Sequence, residues 1–351
     1  MTIRWGIIGC GAVTEVKSGP AFQQAPDSRL VLVMRRTPEL AADYARRHGV
    51  PRWTAEAAAL LRDPEVDAVY IATPPGAHAE LALAAAAAGK PAYVEKPMAR
   101  HAAECERMHA AFQRAGRPLF VAYYRRALPY FREAKALLES GALGRLQTVS
   151  VRYASDACRR VPRDNLPWRL RAEESGGGLF MDLAGHTLDL LDWLLGPLED
   201  VRGAATRRPD APYAVEDRVT MSFRIGAVRG TAGWDFTAAE RRDEIILCGE
   251  QGTLRLATFG STTLLLETAR GVERIERPHP PAIQQPLVAS IVDELLGRGR
   301  CPSTGASALR TARVMDAVLD EFYGGRADDF WTRRVSADTR RDPGTADPRW
   351  A

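Results

Sequence analysis

The sequence predicts a two-domain α/β protein in which parallel β-α-β units precede an α+β domain built on a largely antiparallel sheet. Three observations lead there. The chain has 351 residues, more than one hydrophobic core usually serves. In its first third, short apolar runs alternate with helical patterns, the signature of crossover units with helices on both faces of a sheet. Past Gly116 the crossovers give way to apolar/polar alternation broken by short turns, which marks hairpin-linked strands.

Taken in order, the first strand is Ile3 to Ile8, closed by Gly9-Cys10-Gly11. Further strands are read at Leu30 to Met34, Val66 to Ala72, "PAYVEK" and "PLFVAYY". Helices fall between them at Pro38 to His48, Ala55 to Leu61, His78 to Gly89 and Ala102 to Gly116. The second domain opens with a helix from Pro129 to Ser140 and the alternating strand "LQTVSVRY". One internal helix follows, then the strands "RVTMSFRI", "VRGTAGWDF", "EIILCG", "GTLRLATF" and "TTLLLET". Two helices, Gln285 to Leu296 and Ala306 to Tyr323, close that domain. The expected division is 1–122, 123–335 and a loose polar tail over 336–351.

Composition narrows the function classes. A formal charge of +4, from 48 basic against 44 acidic side chains, is too balanced for a nucleic-acid or membrane surface. Five cysteines without a Cys-x-x-Cys pair indicate neither a disulfide frame nor a metal site. The start of the chain lacks the pattern of a secretory signal, and "LALAAAAAGK" is too short to span a bilayer, so a cytoplasmic protein is expected.

Parallel sheets bind ligands at the carboxyl ends of their strands, and the glycine loop stands at such an end. Gly9 permits a tight turn, and Gly11 lets the backbone of Gly9, Cys10, Gly11, Ala12 and Val13 approach a pyrophosphate. A tight turn with no ligand is the alternative. Thr14 occupies the third small position, which predicts looser or shifted helix–strand packing, and "SGP" at Ser18 to Pro20 predicts an early break of the helix. Where an NAD site usually carries an acid after the second strand, this chain has Arg35-Arg36. Two guanidiniums suit a 2′-phosphate, hence NADP with NAD possible, unless they are merely solvated at a loop tip.

"ESGGGLFMDLAGHTLDLLDWLLGP" predicts a glycine run and roughly four helical turns, stopped at Gly196-Pro197. Asp182 and His186 share a face of that helix, while Leu183, Leu190, Leu191 and Leu194 supply a buried stripe. A carboxylate beside an imidazole suits proton transfer near neutral pH. A capping Asp with a satisfied core His is the plainer alternative.

Four strings in order, "GIIGCGAVTE", "IATPPGAHAE", "GKPAYVEKPM" and "GGGLFMDLAGHTLDLLDWLLG", resemble the glucose–fructose oxidoreductase / inositol dehydrogenase / MocA family, and "VAYYRRALP" adds to the likeness. The resemblance spans about residues 3 to 330. It implies a Rossmann dinucleotide-binding domain and a second domain whose open sheet supports a homo-oligomer, dimer or tetramer. It implies an NAD(P)-dependent oxidoreductase acting on a sugar, cyclic polyol or dihydrodiol; an NAD-dependent glycosidase or a non-catalytic dinucleotide sensor of the same family are the alternatives. In relatives the Glu-Lys-Pro string ends a strand beside the nicotinamide, often with a cis peptide before the proline. On that likeness Lys96 touches substrate and cofactor, and Glu95 lines the cofactor ribose or ring. Thr73, Pro74 and His78 fall in the dinucleotide-contacting loop, and Asp182 and His186 match the family's catalytic pair. Tyr124, Arg126 and the Trp168-Arg169 pair line the mouth of the cleft, with Arg169 counted among the cofactor contacts.

The implied chemistry is hydride transfer coupled to loss of a hydroxyl proton. A neutral His186 accepts that proton, an ordinary imidazole having a pKa of ~6.5. The Lys96 ammonium stabilises the oxygen as it becomes alkoxide-like. Both groups are expected at one reacting carbon.

Overall fold

The computed structural model describes residues 1–327 and 329–333; the tail expected over 336–351 lies outside them. The chain forms two compact units. One comprises residues 1–127 with 280–309, the other residues 128–279 with the described chain from 310 onward.

The first unit carries a six-stranded parallel sheet. Its strands are β1 (Ile3–Ile8), β2 (Ser28–Met34), β3 (Arg52–Thr54), β4 (Ala68–Ile71), β5 (Ala92–Val94) and β6 (Leu119–Val121), in the order β3-β2-β1-β4-β5-β6. Four of the six are apolar runs buried nearly throughout, as expected of a sheet covered on both faces. Register aligns their last residues: Ile8 pairs with Met34 and Ile71, Ile71 with Val94, and Val94 with Val121. Everything that follows these strands therefore leaves the sheet at one edge. Trp5, Phe22, Tyr70 and Tyr93 pack in sequence beneath it, with ring centroids 4.8, 5.1 and 4.9 Å apart.

Periodicity along the chain assigned the helix Gln285–Leu295 to the second domain. It packs instead on the helix Gly19–Gln24 and the 3-10 turn Tyr124–Ala127 of the first unit. Its buried stripe of Leu287, Val288, Ile291 and Val292 reads the same on either sheet, so the pattern alone could not say which surface it covers.

The second unit holds β7 (Leu146–Ala154), β8 (Glu199–Thr206), β9 (Arg218–Ile225), β10 (Val228–Asp235), β11 (Arg242–Gly249), β12 (Gly252–Leu256), β13 (Thr263–Thr268) and β14 (Gly271–Glu276). They pair in the order β14-β13-β12-β11-β7-β10-β9-β8, antiparallel except where β10 meets β7. Strict alternation on β9 turns Val219, Met221, Phe223 and Ile225 inward and leaves Arg218, Thr220, Ser222 and Arg224 exposed. A π-helical turn, Phe180–Ala184, runs into the helix Gly185–Leu195, and Phe180 meets Trp234 of β10 edge-on at 5.1 Å. Of the stripe expected for this helix, Leu190, Leu191 and Leu194 are buried and Leu183 is half-buried, but burial extends well beyond it. Residues 184 to 192 are all buried, including Asp189 and Asp192, so the helix is central. Among the described residues no helix is long and apolar enough to cross a membrane.

Candidate active site

The shared strand edge of the first unit collects the glycine loop, Arg35, Thr73 and the Glu95–Pro97 segment. Gly9 adopts φ +91, a region that disfavours any side chain, and a Cβ there would lie 2.8 Å from Thr73 Cγ2. The N–H groups of Gly9 and Cys10 donate to Met34 O at 2.9 and 3.3 Å. Gly11 is different. Its backbone is ordinary (φ −118), and a Cβ there would meet nothing nearer than Gly9 O at 3.9 Å. Among the described residues nothing requires glycine at 11. The missing side chain leaves room in front of the helix Ala12–Val16, whose first turn no side chain caps. That is the cradle a pyrophosphate needs. Thr73 Oγ1, packed against the same loop, is buried without a hydrogen-bond partner among the described residues.

Thr14, expected to loosen the packing, is fully buried, and its hydroxyl donates to Gly11 O at 2.8 Å. The early break does occur: the helix ends at Val16 and a second begins at Gly19. Arg35 reaches back over the loop to donate to Cys10 O at 3.3 Å, while Arg36 is exposed beside it. Burial pushes the Cys10 thiol up to about 11, with Arg35 opposing, so it stays a neutral thiol.

Pro74 is exposed, but His78 is fully buried, with Nε2 2.7 Å from Thr73 O and Nδ1 3.0 Å from Pro97 O. The side chain expected to touch the dinucleotide is instead buried between two loops, where a neutral ring donates to one of the two carbonyls. The Lys96–Pro97 peptide is cis and Lys96 is half-buried. Glu95, expected to line the cofactor ribose or ring, is 7% exposed and turned inward, where Tyr70 OH donates to Oε1 at 2.6 Å. Tyr124 and Arg126 are buried in a 3-10 turn, and Arg126 Nη1 donates to Pro302 O at 3.1 Å.

In the second unit, Trp168 and Arg169 begin a 3-10 turn, with the guanidinium 4.4 Å above the indole. Arg169 Nε donates to Asp182 Oδ2 at 2.9 Å, a pairing that spacing along the chain did not announce. Asp182 lies within the π turn and His186 on the α-helix that follows; both are buried. π turns inside helices recur at functional sites.

Three supports of this helix were not read from the sequence. Gly178 N donates to the fully buried Glu216 at 2.8 Å, and Tyr323 OH donates to the other carboxylate oxygen at 2.6 Å; burial raises the Glu216 pKa. Arg326 Nη1 donates to Gly176 O at 2.7 Å, pinning the glycine run. Asp243 accepts the N–H groups of Thr258 and Phe259 at 2.9 and 2.6 Å. That turn sets the Phe259 ring edge-on to His186 at 5.8 Å.

With both halves described, comparison with known proteins places the chain. Residues 3–123 match the oxidoreductase family with an NAD-binding Rossmann fold, and residues 131–255 match the GFO/IDH/MocA C-terminal domain. The chain belongs to the GFO/IDH/MocA oxidoreductases. It is 35% identical to Oxidoreductase P35 of Formosa agariphila, over 90% of this chain and 97% of the relative. It is 31% identical to the 1,5-anhydro-D-fructose reductase of Ensifer adhaerens, over 94% and 99%. A levoglucosan dehydrogenase in complex with NADH and levoglucosan superposes with a TM-score of 0.82 at 26% identity, covering 91% of this chain and 96% of that one. The chain is thus an oxidoreductase of a family that binds a nicotinamide dinucleotide, with relatives named for action on sugars.

Proposed function

We propose that this GFO/IDH/MocA oxidoreductase moves a hydride between NADP and the hydroxyl/carbonyl carbon of a sugar, cyclic polyol or dihydrodiol. The observation that carries the reading is the room left at Gly11, on the same strand edge from which Lys96 emerges. A bound nicotinamide supplies the hydride acceptor, or the donor in the reverse direction.

The chain's own residues do the rest. The first-turn N–H groups of Ala12 and Val13 precede the first intrahelical bond, so they are available to phosphate oxygens. Arg35 and Arg36 are assigned to the 2′-phosphate, which distinguishes NADP from NAD. Lys96 is assigned to the substrate oxygen, where its charge stabilises the developing alkoxide. His186 takes the hydroxyl proton as the carbon loses hydride. Asp182, held by Arg169, and Trp168 are assigned to the substrate, and the outward face of the second sheet to self-association.

The test is nicotinamide absorbance on mixing the protein with NADP or NADPH and a panel of sugars, cyclic polyols and dihydrodiols. A change stoichiometric with one substrate class is expected. Measured cofactor binding with no absorbance change across the panel contradicts the reading; sugar release without net cofactor turnover would mark a glycosidase instead.

A further inference from the structure

We infer that Gln284 is a positioning residue for Lys96, acting through the carboxylate of Glu95. The inference rests on the reading that Lys96 acts at the substrate oxygen.

Glu95 follows β5 directly, and its own N–H donates to Ile71 O at 2.9 Å. Its side chain then folds back into the first unit. Oε1 accepts from Tyr70 OH at 2.6 Å and from Gln284 Nε2 at 2.8 Å, while Oε2 accepts the main-chain N–H of Lys96 at 3.1 Å. The Gln284 amide is itself oriented, because its Oε1 accepts from Tyr93 OH at 2.8 Å. The hydrogen bonds therefore run Tyr93, Gln284, Glu95, Lys96 N–H, with Tyr70 as a second brace on the carboxylate.

Two properties make this a positioning device rather than ordinary packing. Every member is buried: Tyr70 and Tyr93 are 0% exposed, Gln284 1% and Glu95 7%. Burying an amide beside a carboxylate is unfavourable unless their bonds are made, and a methionine would fill the same space without that demand. The tyrosines also stay donors, since burial and the nearby Glu95 charge raise both phenol pKa values well above 10. Second, the far side of Lys96 is held as well. His78 Nδ1 is 3.0 Å from Pro97 O, and in the tautomer that carries its proton there the ring holds the backbone beyond the lysine. Placement errors of ~1 Å at a reacting group cost ~10²-fold in rate.

Gln284 stands 189 residues after Glu95. It reaches the site because the chain returns to the first unit, where Gln284 begins the helix Gln285–Leu295. The returning segment thus completes the support of Lys96.

The experiment compares Gln284→Met, Gln284→Glu and Lys96→Ala in the full chain with NADP(H) and the substrate found above. Gln284→Met removes the donor at similar volume; its kcat is expected to fall ~10–100-fold, with the NADP dissociation constant within ~2-fold of the parent. In Gln284→Glu the new carboxyl can donate to Glu95 only while protonated. Its kcat should therefore fall as pH rises through a new inflection that the parent lacks. A role in packing alone would not create that inflection. If Lys96→Ala abolishes turnover while both Gln284 variants keep the parent kcat and pH profile, the Gln284 inference is wrong and the reading of Lys96 stands. If Lys96→Ala turns over normally, the reading of Lys96 fails and takes this inference with it. Should Gln284→Met not fold, the Gln284→Glu profile decides alone.

Discussion

Arg169 and Asp182 form a charged hydrogen bond of 2.9 Å, with the guanidinium stacked on Trp168 and the carboxylate in the π turn that precedes the His186 helix. The turn around Trp168 and the helix that carries His186 are thereby joined by an ion pair. Removing the arginine leaves a largely buried carboxylate without this partner. Arg169→Met is expected to cost about 1–3 kcal/mol, a drop of about 2–12 °C in thermal midpoint for a unit of this size. Differential scanning calorimetry reads it; an unchanged midpoint would show the pair to be dispensable.

Gly9 and Gly11 make opposite predictions. Gly9→Ala forces a side chain to φ +91 and against Thr73, and is expected to destabilise by about 1–3 kcal/mol. At Gly11 the backbone accepts a side chain, so Gly11→Ala should leave stability equal or raise it by up to ~1 kcal/mol. Its NADP affinity should nonetheless fall ~10-fold or more, about 1.4 kcal/mol. Denaturant melts and a fluorescence titration separate the two effects. Unimpaired binding by Gly11→Ala would remove the cradle from the account.

Much of the fold was legible, and the failures have physical causes. β1 begins and ends where the apolar run does, because glycine punctuates it. β8 and β14 were missed: "EDVRGAAT" and "GVERIE" lie toward the sheet margins and bury too little to show alternation. β3 is a three-residue edge strand with Trp53 45% exposed, so it carries no apolar run. The residues assigned to the site, such as Gly9, Lys96 and His186, stand in short motifs that a sequence displays directly. Their supports, Glu216, Asp243, Phe259 and Gln284, carry no such motif, since they reach their partners across 15 to 189 residues with no periodic signal.

On the proposed reading, Arg35 sets the cofactor choice. Replacing it by Asp removes the guanidinium anchored on Cys10 O and sets a carboxylate where the 2′-phosphate is assigned. Arg35→Asp should move the ratio of NADP to NAD affinity by ~10–100-fold toward NAD, the range of one or two charged hydrogen bonds. Equal losses for both cofactors, measured by titration, would make the residue structural.

His78 predicts a pH dependence of stability. Burial lowers its pKa from 6.5, opposed by the Thr73 and Pro97 carbonyl contacts. Below pH ~6.5 the unfolded imidazole takes a proton before the folded one does, so the unfolded state binds more protons and stability falls with acidification. That loss runs from about 6.5 down to the lower folded value. Urea midpoints measured across this window should fall less steeply in His78→Gln than in the parent; parallel slopes would rule the buried neutral ring out.

The most direct test of the central claim is single-turnover hydride transfer in His186→Asn, saturated with cofactor and substrate. The account predicts a rate ~10²–10⁴-fold below the parent with NADP affinity unchanged, because only the proton acceptor is gone. A rate within about twofold of the parent would contradict it and remove the imidazole from the reaction.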